Sequence, residues 1–212
     1  MDIINLLPEN IANQIAAGEV IQRPSSVVKE TLENSIDSGA NEIKLIIKDY
    51  GKTLIQIIDN GCGMSSNDVE KCFLRHATSK IKKVDDLFEI LTMGFRGEAM
   101  ASIASIAHIE LETKLHDQEL GVKIIVEGGK IKSKNKHNCA AGTSIKIKNI
   151  FFNIPARRKF LKSDNVEMRH IVEEFNRIAL ANPTCKLQLF HNKKEIFYLE
   201  KNNFRQRIVN VI

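Results

Sequence analysis

The sequence predicts a two-layer α/β sandwich, and three observations carry that expectation. Short runs rich in Ile, Leu and Val sit in neighbouring pairs joined by glycine-containing turns, the pattern of antiparallel strands. Those runs are interleaved with segments of helical apolar spacing, so each layer has a partner to bury itself against. The chain has 212 residues, 43% hydrophobic and 27% charged, and a chain of that size buries roughly 70% of the surface it exposes when unfolded.

The first strong helix is expected over residues 24–38. Pro24 followed by Ser25 and Ser26 makes a helix start, Val27, Val28, Thr31, Leu32 and Ile36 form the apolar stripe, and Gly39 fits the stop. Residues 42–48 and 53–59 read as Ile-rich strands, and Asp49-Tyr50-Gly51-Lys52 joins them as a hairpin. A glycine-rich turn over 59–64 and a short helix over 65–74 come next. Residues 76–97 are mixed, with a short helix over 85–91, and residues 98–107 form a small-residue helix. Strands are expected over 109–113, 121–127, 130–133 and 143–147, with Gly128-Gly129 as a turn. Residues 151–158 read as an irregular loop around Pro155. A longer helix over 165–181 stops at Asn182-Pro183, and strands over 186–191 and 195–199 lead to a final piece over 205–212.

Composition excludes several classes. Apolar content is too high and net charge too small for a disordered chain. No apolar run approaches the ~20 residues of a membrane span. Four cysteines and six histidines form no Cys-x-x-Cys pair and no His-Glu-x-x-His, so free thiols are expected and a zinc site is not. Met1-Asp2-Ile3-Ile4-Asn5 lacks the basic and apolar stretches of a secretory signal, and a cytoplasmic location follows. The balance of 31 basic to 26 acidic residues, net +5, permits contact with nucleic acid without requiring it.

Two common nucleotide motifs are also excluded. No Gly-x-x-x-x-Gly-Lys-Ser/Thr is present, and Gly61-Cys62-Gly63 has Ser66 where a dinucleotide fingerprint needs a third glycine. Other segments carry chemistry. Glu30, Asn34 and Asp37 are spaced to share one helix face, opposite the Val/Leu/Ile stripe. A carboxylate there can take a proton from an attacking water, and an amide oxygen is a hard ligand for Mg²⁺; a solvated polar face has the same pattern. In Asp59-Asn60-Gly61-Cys62-Gly63-Met64, the Asp at a strand end can accept a hydrogen bond from an exocyclic amino group, and the glycines let backbone approach a flat ring. A plain Asp-Asn-Gly turn reads identically. Gly94-Phe95-Arg96-Gly97-Glu98-Ala99 places two glycines before a helix N-terminus, where anions are favoured. Ala77-Thr78-Ser79-Lys80 offers two hydroxyls and an ammonium, and Gly142-Thr143 opens a strand.

The order of these pieces resembles the GHKL ATPase superfamily, which groups gyrase-type topoisomerases, heat-shock chaperones, histidine kinases and mismatch-repair ATPases. The resemblance to the mismatch-repair branch rests on Asn13-Gln14-Ile15-Ala16-Ala17-Gly18-Glu19-Val20, residues 29–40 and 59–64, Arg75-His76-Ala77-Thr78-Ser79-Lys80, residues 94–99 and Pro155-Ala156-Arg157-Arg158-Lys159-Phe160. Ser38 and Met100 stand where that branch usually has Ala and Leu. The resemblance implies a Bergerat fold, a mixed and mostly antiparallel sheet with helices on one face. It implies ATP and Mg²⁺ as ligands, with Glu30 as general base and Asn34 as the Mg²⁺ ligand. Asp59 would read the adenine amino group, with Gly61, Gly63, Met64 and Thr143 around the base. Thr78, Ser79, Lys80 and the lid Gly94, Phe95, Arg96, Gly97, Glu98 and Ala99 would wrap the phosphates.

It further implies an ATP-dependent homodimer, a mismatch-recognition protein and a downstream nicking endonuclease or helicase as partners, and weak DNA contact without sequence preference. The basic residues Lys146, Lys148, Arg157, Arg158, Lys159 and Lys162 are one candidate for that contact and equally a structural set. Residues 1–200 are expected to form the ATP-binding domain, with 1–22 as a dimerisation arm or a segment buried in its own chain, and 201–212 to begin a second domain.

Overall fold

The strands explain the architecture. In β1 (Glu42–Lys48) every second residue, Ile43, Leu45 and Ile47, is buried, while Lys44 and Ile46 are only partly covered. That alternation is the mark of a sheet with one packed face and one open face. The same rule selects Ile55 and Ile57 from β2 (Leu54–Asp59), Ile109, Leu111 and Thr113 from β3 (His108–Lys114), and Ile145 and Ile147 from β6 (Gly142–Lys148). With β4 (Gly121–Glu127), β5 (Lys130–His137), β7 (Lys186–His191) and β8 (Lys194–Leu199) they make one eight-stranded sheet in the order β5-β4-β3-β6-β2-β1-β7-β8. Among the described residues only β1 and β7 run parallel, and every other strand pair is antiparallel. This is a computed structural model that describes residues 3, 5–81, 83 and 85–212. Met1, Asp2 and Ile4 of the expected N-terminal arm, and Lys82 and Val84 near the expected phosphate loop, lie outside the described residues.

Helices α1 (Glu9–Val20), α2 (Pro24–Asp37), α4 (Ala99–Ile106) and α6 (Asp164–Ala181) feed the same buried cluster as the Ile/Leu face, through Ala17, Val28, Leu32, Ile103, Ile171 and Phe175. The open face is charged. Glu110 and Glu112 of β3 pair across strands with Lys123 of β4 at 2.9 Å and with Lys146 and Lys148 of β6. Opposite charges on neighbouring strands suit a face left in water.

Several elements differ from the sequence reading, each for a visible reason. Residues 151–158 are not wholly a loop, because Pro155 is the first residue of helix α5 (Pro155–Phe160), where its fixed φ and missing N–H cost nothing. Strand β5 continues past Ser133 to His137 without apolar residues, since Lys130, Lys132, Lys134 and Lys136 line a sheet edge that needs charge rather than burial. The helix expected over 65–74 shrinks to α3 (Asp68–Lys71), and residues 85–88 form a 3-10 turn. Helix α1 lacks a wide apolar stripe because it packs on α4 through small residues. Its C-terminal carbonyls at Gly18 and Ile21 accept bonds of 3.0 and 2.9 Å from Arg157. Thus Lys146, Lys148 and Arg157 of the basic set are engaged within the fold.

The last stretch forms α7 (Phe204–Val211), started by the Asn203 side chain accepting from the Gln206 N–H. Arg207 is fully buried and donates to the carbonyls of Pro183, Cys185 and Glu200 at 2.8, 2.6 and 2.9 Å, fixing α7 to the β7 entrance and the end of β8. All four cysteines are free thiols, and burial pushes that of Cys72 up to about 12.

Candidate functional site

Helix α2 supplies the first wall. Its apolar stripe buries Val27, Val28 and Leu32, which turns Glu30, Asn34 and Asp37 away from that stripe. Glu30 keeps a quarter of its side chain in solvent, and Lys29 donates to its Oε1 at 3.2 Å. One turn on, Asn34 Oδ1 accepts from Lys80 Nζ at 2.9 Å. The same ammonium reaches Asp37 Oδ2 at 2.6 Å, in a pair whose carboxylate side is only 6% exposed. Asp37 also accepts the backbone N–H groups of Met93 and Gly94 at 3.0 and 3.2 Å. One carboxylate therefore ties two separate segments, 78–80 and 93–94, to the end of α2.

The second wall is made by strand ends. Sheet register sets Asp59 of β2 opposite Thr143 of β6, and Thr143 opposite Thr113 of β3, in one row across three strands. Asp59 accepts from Ser35 Oγ at 2.9 Å, from the Gly61 N–H at 3.0 Å and from the Thr143 N–H. Burial nevertheless pushes its carboxyl above the ordinary Asp range, against those three donors. Thr113 has no exposed surface; it accepts from the Met64 N–H at 2.9 Å, donates to the Gly142 carbonyl at 2.9 Å and lies 3.1 Å from the Thr143 hydroxyl. His116 Nε2 contacts the Gly61 carbonyl at 2.9 Å.

Two glycines make this wall possible. Gly142 has φ +105°, and a Cβ there would stand 2.2 Å from the Asp59 carbonyl. Gly63 has φ +71°, and a Cβ there would stand 2.1 Å from the Lys114 carbonyl. Both positions combine a left-handed backbone with contact against main chain, so no other residue fits.

Residues 76–98 form the third side. Thr78 Oγ1 accepts from the Lys80 N–H at 3.1 Å, Ser79 is exposed, and Thr92 Oγ1 donates to the Gly94 carbonyl at 2.9 Å. The Arg96 guanidinium lies 5.7 Å from the Phe95 ring centre, and Gly97 packs against the Ala77 carbonyl. Glu98 precedes α4, is 3.5 Å from His76, and Ala99 is the first helical residue.

The predicted residues fall into two linked groups. Asp59, Gly61, Gly63, Met64 and Thr143 meet at the strand ends, while Asn34, Lys80 and Gly94 meet at Asp37. Ser35, whose hydroxyl touches Asp59, joins the groups through α2. Sequence reasoning missed Thr113 and set Asp37 on one face with Glu30 and Asn34 without giving it a role. Asp37 was detectable from its spacing after Asn34; Thr113 carried no local signal. Among the described residues, no three His, Cys, Asp or Glu side chains gather as a metal cage. The amide oxygen of Asn34 is a hard donor of the kind Mg²⁺ takes, and here it accepts from the Lys80 ammonium.

Comparison with known proteins fixes the class. The family described as histidine kinase-, DNA gyrase B-, and HSP90-like ATPase matches residues 22–156. The chain belongs to that ATPase family, the GHKL class whose Bergerat-type mixed sheet and one-sided helices it shares. Within the family its likeness is to MutL. It is 60% identical to the DNA mismatch repair protein MutL of Christiangramia forsetii, over 100% of this chain and 34% of that protein. The MutL of Flavobacterium psychrophilum is 60% identical over 99% of this chain and 34% of its own length. The Aquifex aeolicus MutL ATPase domain complexed with ADP superposes with a TM-score of 0.74 at 32% identity, covering 91% of this chain and 69% of that one. A crystal structure of the N-terminal domain of a DNA repair protein gives a TM-score of 0.80 at 30% identity, covering 98% of this chain and 62% of that one. The chain spans about a third of the length of the MutL relatives it matches.

Proposed function

We propose that the chain binds Mg-ATP between α2, the strand-end row and residues 76–98, and hydrolyses it as the switch of a DNA mismatch-repair machine. The observation that carries this reading is the buried Asp59, already given three donors and tied through Ser35 to the helix that bears Glu30 and Asn34. A carboxylate already given three donors keeps lone pairs only for another donor, which suits the amino group of adenine. Glu30 is the general base for the attacking water, kept accessible and oriented by Lys29. Asn34 would hold Mg²⁺, which would supply charge neutralisation on the phosphates, and Lys80 and the Gly94, Phe95, Arg96, Gly97, Glu98, Ala99 loop would close over them with Thr78 and Ser79. Phosphoryl transfer needs such positioning more than covalent help.

The same reading extends to the whole protein. Residues 1–200 act as the ATP-binding unit and residues 201–212 begin a second domain, with α7 tied to the ATP-binding unit through Arg207. ATP binding drives homodimerisation through the first 22 residues, of which Ile11 and Ile15 lie one turn apart and are exposed. The switch links a MutS-type mismatch-recognition protein to a downstream nicking endonuclease or helicase, with weak DNA contact. Arg158, Lys159 and Lys162, all exposed, support that contact better than the three basic residues engaged within the fold. No helix among the described residues is long and apolar enough to cross a membrane, and the working location is the cytoplasm.

Substituting Glu30→Ala tests the reaction. Mg-ATP binding by calorimetric titration should persist while phosphate release falls by about 10²–10⁴-fold in a matched full-length background. Turnover equal to the unsubstituted protein would remove Glu30 from the chemistry. Asn34→Ala should abolish Mg-dependent binding instead.

A further inference from the structure

We infer that Thr113 fixes the direction of the Thr143 hydroxyl and so makes the strand-end row an acceptor-only surface, selective for a 6-amino purine over a 6-oxo purine. The inference rests on the proposed ATP site and adds a positioning residue to it.

Proton bookkeeping carries the argument. A threonine hydroxyl has one proton and two lone pairs. Thr113 Oγ1 lies 2.9 Å from the Gly142 carbonyl oxygen, which has no proton to give, so the Thr113 proton must lie between them. One lone pair of Thr113 accepts the Met64 N–H at 2.9 Å. The contact of 3.1 Å between the Thr113 and Thr143 hydroxyls also needs a proton, and the only one left is that of Thr143. Thr113 is fully buried, so water cannot substitute for any of these partners. The Thr143 proton is thus committed to Thr113, and Thr143 offers only lone pairs to anything else.

Register then places that hydroxyl. Thr143 stands between Thr113 and Asp59 in the row, and Thr143 is only partly covered. Next to it, Asp59 is a carboxylate whose neighbours all donate to it. Two adjacent side chains therefore present lone pairs. An exocyclic amino group finds acceptors there, whereas a 6-oxo group meets like charge. A site that hydrogen-bonds one group discriminates strongly against an analogue that leaves its polar atoms unpaired. The valine side chain at 113 would release the Thr143 proton, letting that hydroxyl turn and donate to a 6-oxo group.

The test is calorimetric titration of the purified chain with Mg-ATP and with Mg-ITP. The unsubstituted protein should prefer ATP. Thr113→Val should cut the ATP-to-ITP affinity ratio about tenfold, and Thr113→Ser, which keeps the hydroxyl, should restore it. Thr143→Val should weaken ATP severalfold and, with one of the two repelling acceptors gone, should not weaken ITP, so the ATP-to-ITP ratio falls there too and decides the matter if Thr113→Val does not fold. An unaltered ratio in Thr113→Val or in Thr143→Val, or a serine variant that behaves like the valine one, would overturn the inference. A chain that binds neither nucleotide would instead overturn the proposed function.

Discussion

The two ends of the proposed ATP site, a base end and a phosphate end, are built on different principles. The base end is a row of strand termini, Asp59, Thr143 and Thr113, whose neighbours are set by sheet register and whose donors and acceptors are matched. The phosphate end is loop, and a single carboxylate, Asp37, holds Lys80, Met93 and Gly94 to α2. Recognition needs a surface that is complete before the ligand arrives, because preorganised groups cost little to use. Closure needs ties that exist without ligand yet can be exchanged for ligand contacts, because a lid must also open. Lys80 would have this exchangeable character in the proposed site: its ammonium rests on Asn34 Oδ1, the atom proposed to hold Mg²⁺.

A pair of glycine substitutions breaks the comparison at its strongest point. Gly142→Ala forces a side chain onto φ +105° with Cβ 2.2 Å from the Asp59 carbonyl. Strain and overpacking there should cost about 3 kcal/mol or more, visible as a lowered melting temperature and lost ATP binding. Gly94→Ala places its Cβ 3.4 Å from Lys80 Nζ, the end of a flexible chain. The melting temperature should then stay unchanged. Equal damage from both would mean that the lid is as rigid as the sheet.

A smaller effect is expected from Asp37→Asn. The variant removes the charge facing Lys80 and leaves one carbonyl oxygen for two backbone donors. Amide exchange at residues 78–80 and 92–94 should rise about tenfold, the response of a local opening whose tie is cut. Exchange at residues 59–64 and 142–144 should not change. Protection retained at 92–94 would show that the lid is held by something other than Asp37.

The same contrast decides what was legible in the sequence. The shared face of Glu30 and Asn34 and the 59–64 turn were readable as local geometry, since each sits in a short segment whose spacing is fixed by its own helix or turn, while their proposed roles come from the family resemblance. The helices and most strands were readable for the same reason, since alternation and the 3.6-residue period are local. Thr113 was not, because it gains meaning only when β3 and β6 pair at a register the chain does not announce. Gly142-Thr143 carried no signal of its own, and the resemblance alone pointed to Thr143 until pairing with β2 set it beside Asp59. Arg157 read as one of a basic run, and its attachment to the end of α1 depends on a helix that small residues disguised.

The smallest expected effect is also the most diagnostic of the base end, because two measurements on one carboxyl must run in opposite directions. Burial raises the Asp59 carboxyl above its ordinary value, about 3.9 in an unfolded chain. The folded protein then holds this proton more tightly than the unfolded chain does. Linkage makes that group's contribution to stability fall as pH rises through the interval between the unfolded and folded values. ATP binding has the other sign, since protonation places a donor where the adenine amino group needs an acceptor. Lowering pH through the folded value should weaken ATP binding severalfold, with a midpoint above the ordinary Asp range. Asp59→Ala should remove both dependences while the lid behaves as before. A binding midpoint at or below about 3.9 would mean that the three donors outweigh burial, and that the base end is a solvated turn rather than a desolvated recognition surface.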